Sequence, residues 1–380
     1  MKIDNNNKIF QGRNHTQIAS MPDFSIDELL GRKSISFEQK EIDDFLSGKV
    51  VLVTGGGGSI GSELCRQIAE SNPAQLVILD NYENNAYEIQ QELIYLYHDK
   101  LNLAVEIASV QDVLKLEQLF VRYQPQIVFH AAAHKHVPFM EHCPDEAIKN
   151  NIFGTYHTVH LADQCNTEKF VLISTDKAVN PTSMMGASKR VCEMIIESMK
   201  NISNTEYVAV RFGNVLGSNG SVIPLFKRQI ELGGPVTITD RRAYRYFMTI
   251  PEAAQLVLRA GAMALHSQIY VLDMGESVNI LALAENLIRL MGLEPYRDIP
   301  ITEIGIREGE KLNEELFMQK DGLIKTDNHR IYIEQQKDIS PEEIENKLGQ
   351  LQQALDSKDT SIIRSKLKEI VPNFLDLKGF

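Results

Sequence analysis

Tryptophan is absent from the 380 residues, and cysteine occurs only four times, at Cys65, Cys143, Cys165 and Cys192. The four are widely spaced, with no CxxC pair and without the paired His and Cys spacing of a zinc site. That spacing excludes a disulfide scaffold and a zinc site and reads as reduced thiols. Basic residues are also in deficit: 39 Lys and Arg stand against 51 Asp and Glu, for a formal charge of -12. Binding a phosphate backbone needs a concentrated basic stripe, and no segment supplies one, so a nucleic-acid partner is excluded. Long apolar runs are missing too. No stretch approaches the roughly 18 to 20 apolar residues of a membrane span. The polar start, Met1 to Gln17, lacks the apolar core of a signal peptide. The expectation is a cytoplasmic protein with a small ligand.

Residues 1–22 are Asn-rich and polar. They bury too little apolar area to offset ordering entropy and are expected to form a flexible tail. Residues 23–48 are expected to be a helical leader: Ser25 precedes Ile26, Leu29 and Leu30, and Ile42, Phe45 and Leu46 follow at helical spacing. From Lys49 onward compact apolar runs recur at Val50–Thr54, Gln75–Asp80, Leu103–Ile107, Ile127–Ala131, Phe170–Ser174, Tyr207–Phe212 and Ile269–Leu272. Such runs are buried parallel strands, and the intervals between the first six are long enough for crossover helices. This predicts an α/β fold, a doubly wound parallel sheet of the Rossmann type, with its dinucleotide-binding core over residues 49–212. Residues 213–380 are expected to form mostly a smaller substrate-binding lobe and C-terminal helices, with 250–275 returning to the core. In the charged tail, Ile344, Leu348, Leu351 and Leu355 fall at helical spacing, which predicts packing of one face and no catalytic role.

Val50 to Thr54 runs into Gly55-Gly56-Gly57-Gly58-Ser59-Ile60-Gly61, and a helical stretch follows. Strand, glycine turn and helix together let a backbone approach a pyrophosphate, whose charge meets amides at the helix N-terminus. Asp80 ends the second strand nineteen residues beyond Gly61, where a carboxylate accepts from adenosine ribose hydroxyls and repels a 2'-phosphate. No Arg or Lys lies in Asn81 to Gln91, so the expected cofactor is NAD rather than NADP.

Three further segments fall where strands should end: Ala131-Ala132-Ala133-His134-Lys135-His136, Ser174-Thr175-Asp176-Lys177 and Met185-Gly186-Ala187-Ser188-Lys189. In an open parallel sheet the ligand crevice lies outside the carboxyl ends of the strands, so all three face one cleft. With the turn at Thr54 to Gly61, the leader Leu29-Leu30-Gly31-Arg32, the run Arg211-Phe212-Gly213-Asn214-Val215 and Gly309-Glu310-Lys311-Leu312, the chain resembles a known family from Phe24 to about Phe317. The family is the UDP-N-acetylglucosamine 4,6-dehydratases of bacterial surface-polysaccharide synthesis, within the extended short-chain dehydrogenase/reductases. The superfamily's usual base is Tyr in a YxxxK motif, but Met185 stands four residues before Lys189. A thioether takes no proton; the same substitution characterises a branch of these dehydratases.

The resemblance implies oxidation at carbon 4 of the hexose, loss of the carbon 5 proton and carbon 6 hydroxyl, and hydride return to carbon 6, with NAD regenerated. It implies that Thr175 bonds the carbon 4 oxygen, that Asp176 is the acid for water loss, and that Lys177 is the base at carbon 5. A lysine base needs a pKa brought down from about 10.4 by burial or a neighbouring cation, and Lys189 is the expected neighbour. Lys189 is also expected to bond the nicotinamide ribose, and its i,i+4 relation to Met185 puts both on one helix face. Gly55, Gly58, Ser59, Ile60, Gly61, Asp80, Ala131 and Ala132 are the other expected cofactor contacts. Lys135, Asn214, Ser221, Val222, Arg245 and Glu310 are expected around a UDP-sugar substrate, with Arg245 on the diphosphate and Glu310 on the uridine ribose.

His134, His136 and His142 invite a metal reading, but Pro138 between them and the lack of a carboxylate at ligand spacing argue against one. Two other readings stay open: a 4-epimerase or carbon-5-inverting dehydratase, which begins with the same oxidation, and a noncatalytic NAD-binding protein. Related enzymes often carry a membrane region before the leader, and this chain starts close to it, so the soluble form is expected. Assembly into a homo-oligomer is expected from the family.

Overall fold

The computed structural model describes residues 40–265, 267–318, 323–335 and 338–376. The expected tail at 1–22 and the leader up to residue 39 lie outside them. The end of the leader is α1 (Lys40–Leu46), which buries Ile42 and Leu46 against the core.

The sequence Val-Val-Leu-Val-Thr cannot leave either face in water, and β1 (Val50–Thr54) runs through the centre of the molecule. Around it the chain alternates α2 (Ser59–Glu70), β2 (Gln75–Asp80), α3 (Glu83–Tyr97), β3 (Leu103–Ile107), α4 (Val113–Tyr123), β4 (Ile127–His130) and α5 (Val137–His142). A wide π turn, Ala147–Phe153, then leads into α6 (Gly154–Gln164), β5 (Lys169–Ile173), α7 (Met184–Ser198) and β6 (Glu206–Arg211). Strands β3-β2-β1-β4-β5-β6 lie in that order and all pair in parallel. The order reverses between β1 and β4, which is where a doubly wound sheet opens its ligand crevice.

Beyond β6 come β7 (Asn214–Val215), α8 (Val222–Glu231), β8 (Val236–Ile238), β9 (Tyr244–Met248) and α9 (Ile250–Ala262). They are followed by β10 (Gln268–Leu272), β11 (Ser277–Asn279), α10 (Ile280–Leu290) and β12 (Ile301–Glu303). A Thr249–Glu252 capping box starts α9, which packs on α2, and β10 adds to β6 in parallel. Residues 250–275 thus lie in the main body. The lobe has its own core, in which Phe226, Ile230, Phe247, Leu283 and Leu287 meet beside two small sheets, β11-β9-β7 and β12-β8. Each such side chain taken wholly out of water contributes roughly 1.5–3 kcal/mol.

Two strands that the sequence did not announce, β13 (Leu323–Lys325) and β14 (Ile331–Glu334), extend the main sheet to nine by antiparallel pairing on β10. The tail forms α11 (Pro341–Asp356) and α12 (Thr360–Ile370). Ile344, Leu348, Leu351, Ile363 and Leu367 are buried there, and both helices pack on α7. Every residue of α7 except Arg190 is therefore buried. Among the described residues, no helix is long and apolar enough to cross a membrane.

Candidate active site

The glycine turn is shaped by two close approaches. A Cβ on Gly61 would stand 2.0 Å from the Gly55 carbonyl oxygen, and one on Gly55 would stand 2.7 Å from the Ala132 nitrogen. Gly55 also has φ +68, a region that favours glycine. The helix N-cap is Gly58, whose missing side chain leaves the first amides of α2 uncapped from within. Asp80 fixes the other wall: its Oδ2 accepts from the Gly57 amide at 2.8 Å and its Oδ1 from the Tyr82 amide at 2.8 Å. Asp80, Asn81, Ala108, Val110, Ala131 and Ala132 line a cleft of about 190 Å³ beside this turn.

At the end of β4, His130 is fully enclosed and bonded to Thr54 Oγ1 at 2.8 Å and Thr155 Oγ1 at 3.1 Å. Burial, and then the charge of Lys189, push this imidazole down to about 3, so it is neutral. The following loop is stitched to α7 by Asn151, which accepts from the His134 amide at 2.7 Å and donates to Ser188 Oγ at 3.0 Å. No group of His, Cys, Asp and Glu among the described residues could hold a metal ion.

The β5–β6 pairing continues past β5 through Ser174 N–H to Val210 O at 2.8 Å and Asp176 N–H to Phe212 O at 3.0 Å. This delivers Thr175, Asp176 and Lys177 to the carboxyl edge of the sheet. Asp176 is fully buried; its Oδ1 accepts from Thr175 Oγ1 at 2.9 Å and from Lys177 Nζ at 3.0 Å, and its Oδ2 has no partner among the described residues. Ser174 Oγ donates to Glu193 Oε1 at 2.7 Å, and Glu193 is held by Arg211, tying β5 and β6 to α7.

A cavity of about 640 Å³ joins these pieces. Its lining includes Gly55, Gly58, Ser59, Ile60 and Gly61 at one end, then Ala131 and Lys135, and Thr175, Lys177, Met185, Lys189, Asn214 and Ser221 at the other. Most of these residues are the ones expected around a cofactor and a sugar nucleotide. Burial pushes both Lys135 and Lys189 down.

Four residues depart from expectation. Arg245 and Glu310 face each other: Arg245 donates to Glu310 Oε1 at 2.7 Å, and also to the carbonyls of Tyr244, Lys311 and Leu312. These donors hold the 309–312 segment, so Arg245, expected on a diphosphate, and Glu310, expected on a uridine ribose, are bonded to each other here. Val222 begins α8 and packs against the lobe core instead of lining the cavity. For Lys177, the sequence places the cation Lys189 alongside to lower its pKa, but the structure places carboxylates there. Burial pulls Lys177 down, yet Asp176 and then Glu314 outweigh it and hold the amine above the ordinary lysine range.

Glu314 is the residue that sequence reasoning missed. It is 7% exposed, with Oε1 3.5 Å from Lys177 Nζ. The sequence signal is only that Glu314 lies two residues beyond the Gly309-Glu310-Lys311-Leu312 run; nothing local separates it from its exposed neighbour Glu315.

Residues 51–336 match the model of a family described as polysaccharide biosynthesis protein. The chain is 55% identical to a probable polysaccharide biosynthesis protein, EpsC, of Bacillus subtilis, over 78% of this chain and 49% of that protein. It thus spans about half the length of that relative. It is 30% identical to a UDP-N-acetylglucosamine 4,6-dehydratase (inverting) of Campylobacter jejuni, over 77% of this chain and 87% of the relative. It is 33% identical to a UDP-glucose 4-epimerase of Rickettsia canadensis, over 72% and 79%. Among solved structures it is similar to Pen from Bacillus thuringiensis, with TM-score 0.70 and 33% identity, over 78% of this chain and 88% of that one. By its matched span, its parallel sheet and its relatives, the chain belongs to the polysaccharide biosynthesis protein family.

Proposed function

We propose that this chain is an NAD-dependent nucleotide-sugar 4,6-dehydratase that converts UDP-N-acetylglucosamine to UDP-2-acetamido-2,6-dideoxy-4-hexulose for bacterial surface-glycan synthesis. The observation that carries the proposal is the hydrogen-bonded Asp176–Lys177 pair beside one cavity whose other end is the glycine turn.

The residues at that turn fit a dinucleotide. Side chains at Gly55 and Gly61 would collide with backbone, Gly58 leaves the α2 amides open, and Asp80 offers a carboxylate to a ribose and repels a 2'-phosphate. Gly55, Gly58, Ser59, Ile60, Gly61, Asp80, Ala131, Ala132 and Lys189 would hold NAD. When bound, NAD supplies reversible hydride acceptance, from carbon 4 and back to carbon 6, and so is not consumed.

Elimination needs an amine to take the carbon 5 proton and an acid to give one to the departing carbon 6 hydroxyl. Moving one proton across the 3.0 Å hydrogen bond from Lys177 to Asp176 converts the resting ammonium and carboxylate into that amine and acid. Lys177 then removes the carbon 5 proton, the carbon–oxygen bond at carbon 6 breaks with its electrons on oxygen, and Asp176 protonates the oxygen as water leaves. The pair is back in its resting state; Lys177 returns a proton to carbon 5, and the proton that the carbon 4 hydroxyl released on oxidation restores the Lys177 ammonium. Thr175 bonds the carbon 4 oxygen. Met185 contributes shape alone. Lys135, Asn214 and Ser221 line the cavity and are assigned to the nucleotide sugar.

A 4-epimerase needs no acid at a departing hydroxyl, so a buried Asp176 with one oxygen to spare favours elimination. The test is to incubate the purified chain with NAD and UDP-N-acetylglucosamine and weigh the product by mass spectrometry. A product lighter by one water supports the proposal; one of unchanged mass refutes it.

A further inference from the structure

The amine of Lys177 is shared by two carboxylates, and only one of them has a place in the elimination just described. We infer that Glu314 is a positioning residue for the same centre: it controls how readily Lys177 gives up its proton, and it aims the amine between Asp176 and the smaller neighbouring cavity. The inference rests on the reading of Lys177 as a base.

Glu314 is brought to Lys177 by a segment held at four points. Thr182 Oγ1 donates to the Gly309 carbonyl at 2.9 Å, Arg245 takes the Lys311 and Leu312 carbonyls at 2.7 and 2.8 Å, and Lys311 Nζ donates to the Val179 carbonyl at 2.7 Å. That last contact ties the segment directly to the turn that carries Lys177. The result is a carboxylate that is 3% exposed in its side chain, 3.5 Å from the amine, with a second oxygen that has no partner among the described residues. Most buried carboxylate oxygens are hydrogen-bonded, so a free one beside an amine marks an acid whose ion pair is not its whole role. Asp176 shows the same pattern on the other side of the amine, one oxygen on Lys177 and one without a partner. Two half-satisfied acids thus flank one base, and Lys177 lines both the 640 Å³ cavity and a second of about 150 Å³ shared with Glu314 and Arg245.

The charged groups around Lys177 come from several elements: Asp176 from its own turn, Arg307, Glu310, Lys311 and Glu314 from the 307–314 segment, and Arg245 from β9 beside the smaller cavity, with Lys135 and Lys189 lining the larger one. Asp176 and Glu314 are the two anions that raise it, and burial keeps Glu314 above the ordinary carboxylate range. An anion at this separation moves a partner by about 1 to 3 pH units. Removing the Glu314 charge while leaving Asp176 should therefore ease deprotonation of the amine without removing the acid.

The test reads Lys177 without substrate. The whole chain is pulsed with an amine-acylating reagent at fixed alkaline pH, and labelling of the Lys177 peptide is followed by mass spectrometry. Glu314→Gln should raise the labelling rate at least about tenfold, whereas Glu314→Asp, which keeps the charge, should leave it within about twofold. Glu315→Gln, the exposed neighbour, should change nothing. An unchanged rate in Glu314→Gln, or an equal rise in Glu314→Asp, which would mean wider access alone, overturns the inference. In turnover, the alkaline limb of kcat/KM, where the Lys177–Asp176 pair loses its shared proton, should move to lower pH in Glu314→Gln and stay in place in Glu314→Asp. If labelling behaves this way but UDP-N-acetylglucosamine is not dehydrated, the substrate assignment falls and the role of Glu314 stands.

Discussion

Arg364 Nη1 donates to Glu141 Oε2 at 2.7 Å, while the other oxygen of Glu141 accepts from the backbone amide of Met184 at 2.6 Å. A side chain from α12, outside the span of the family model, thereby holds the carboxylate that caps the first turn of α7, the helix that carries Met185 and Lys189. Both charged side chains are nearly enclosed, at 8% and 4% exposure. Removing one partner of such a pair leaves the other buried and uncompensated, which costs about 3 kcal/mol or more. Arg364→Met should lower unfolding free energy by that amount in urea and slow turnover on the order of tenfold, because small displacements at a site are amplified in rate. Unchanged stability would show that the tail is a passive cover.

Asp80 does two jobs at once, since the carboxylate assigned to the ribose also holds the Gly57 and Tyr82 amides. Asp80→Ala, with an Arg placed nearby, should shift preference toward NADP. It should also weaken NAD at least about tenfold, as each lost charge-assisted bond is worth about 1.5–3 kcal/mol. Titration calorimetry with both dinucleotides checks this, and unchanged NAD affinity would count against the assignment.

The buried His130 gives the fold a pH dependence of known sign. Its folded value, down at about 3, lies below the unfolded value near 6.5. Between those values the unfolded chain binds a proton that the folded chain does not, so stability falls as pH drops from about 6.5 toward 3 and is complete above that window. The contribution is at most roughly 5 kcal/mol. His130→Gln should flatten the denaturation midpoint against pH in this window; the same slope as the parent would exclude His130 as its source.

Met185 is assigned no proton. Met185→Leu conserves volume at a buried position and should keep kcat within about threefold, with stability changed by less than about 1.5 kcal/mol. A loss of a hundredfold would mean that the thioether contributes more than shape.

The seven main strands were legible because a sheet covered on both faces writes itself as continuous apolar runs, as in Val50 to Thr54 and Gln75 to Asp80. The cavity lining was legible for the related reason that strand ends and a glycine turn must converge at the switch point between β1 and β4. β13 and β14 were not, because three or four residues such as Ile331 to Glu334 bear no period that separates an edge strand from a loop. Charge partners were the least legible. Arg245 and Glu310 read equally well as ligand groups until the fold sets them 2.7 Å apart. Glu314 and Glu315 are chemically identical neighbours until one is turned inward and the other outward.

In the proposed elimination everything turns on Lys177 removing the carbon 5 proton. The direct measurement is turnover of UDP-N-acetylglucosamine in deuterium oxide, with label at carbon 5 of the product read by NMR, for the parent chain and for Lys177→Ala. The parent should carry deuterium at carbon 5, and the variant should lose product formation by about 10²-fold or more while still binding NAD. Parental turnover and labelling in Lys177→Ala would contradict the account.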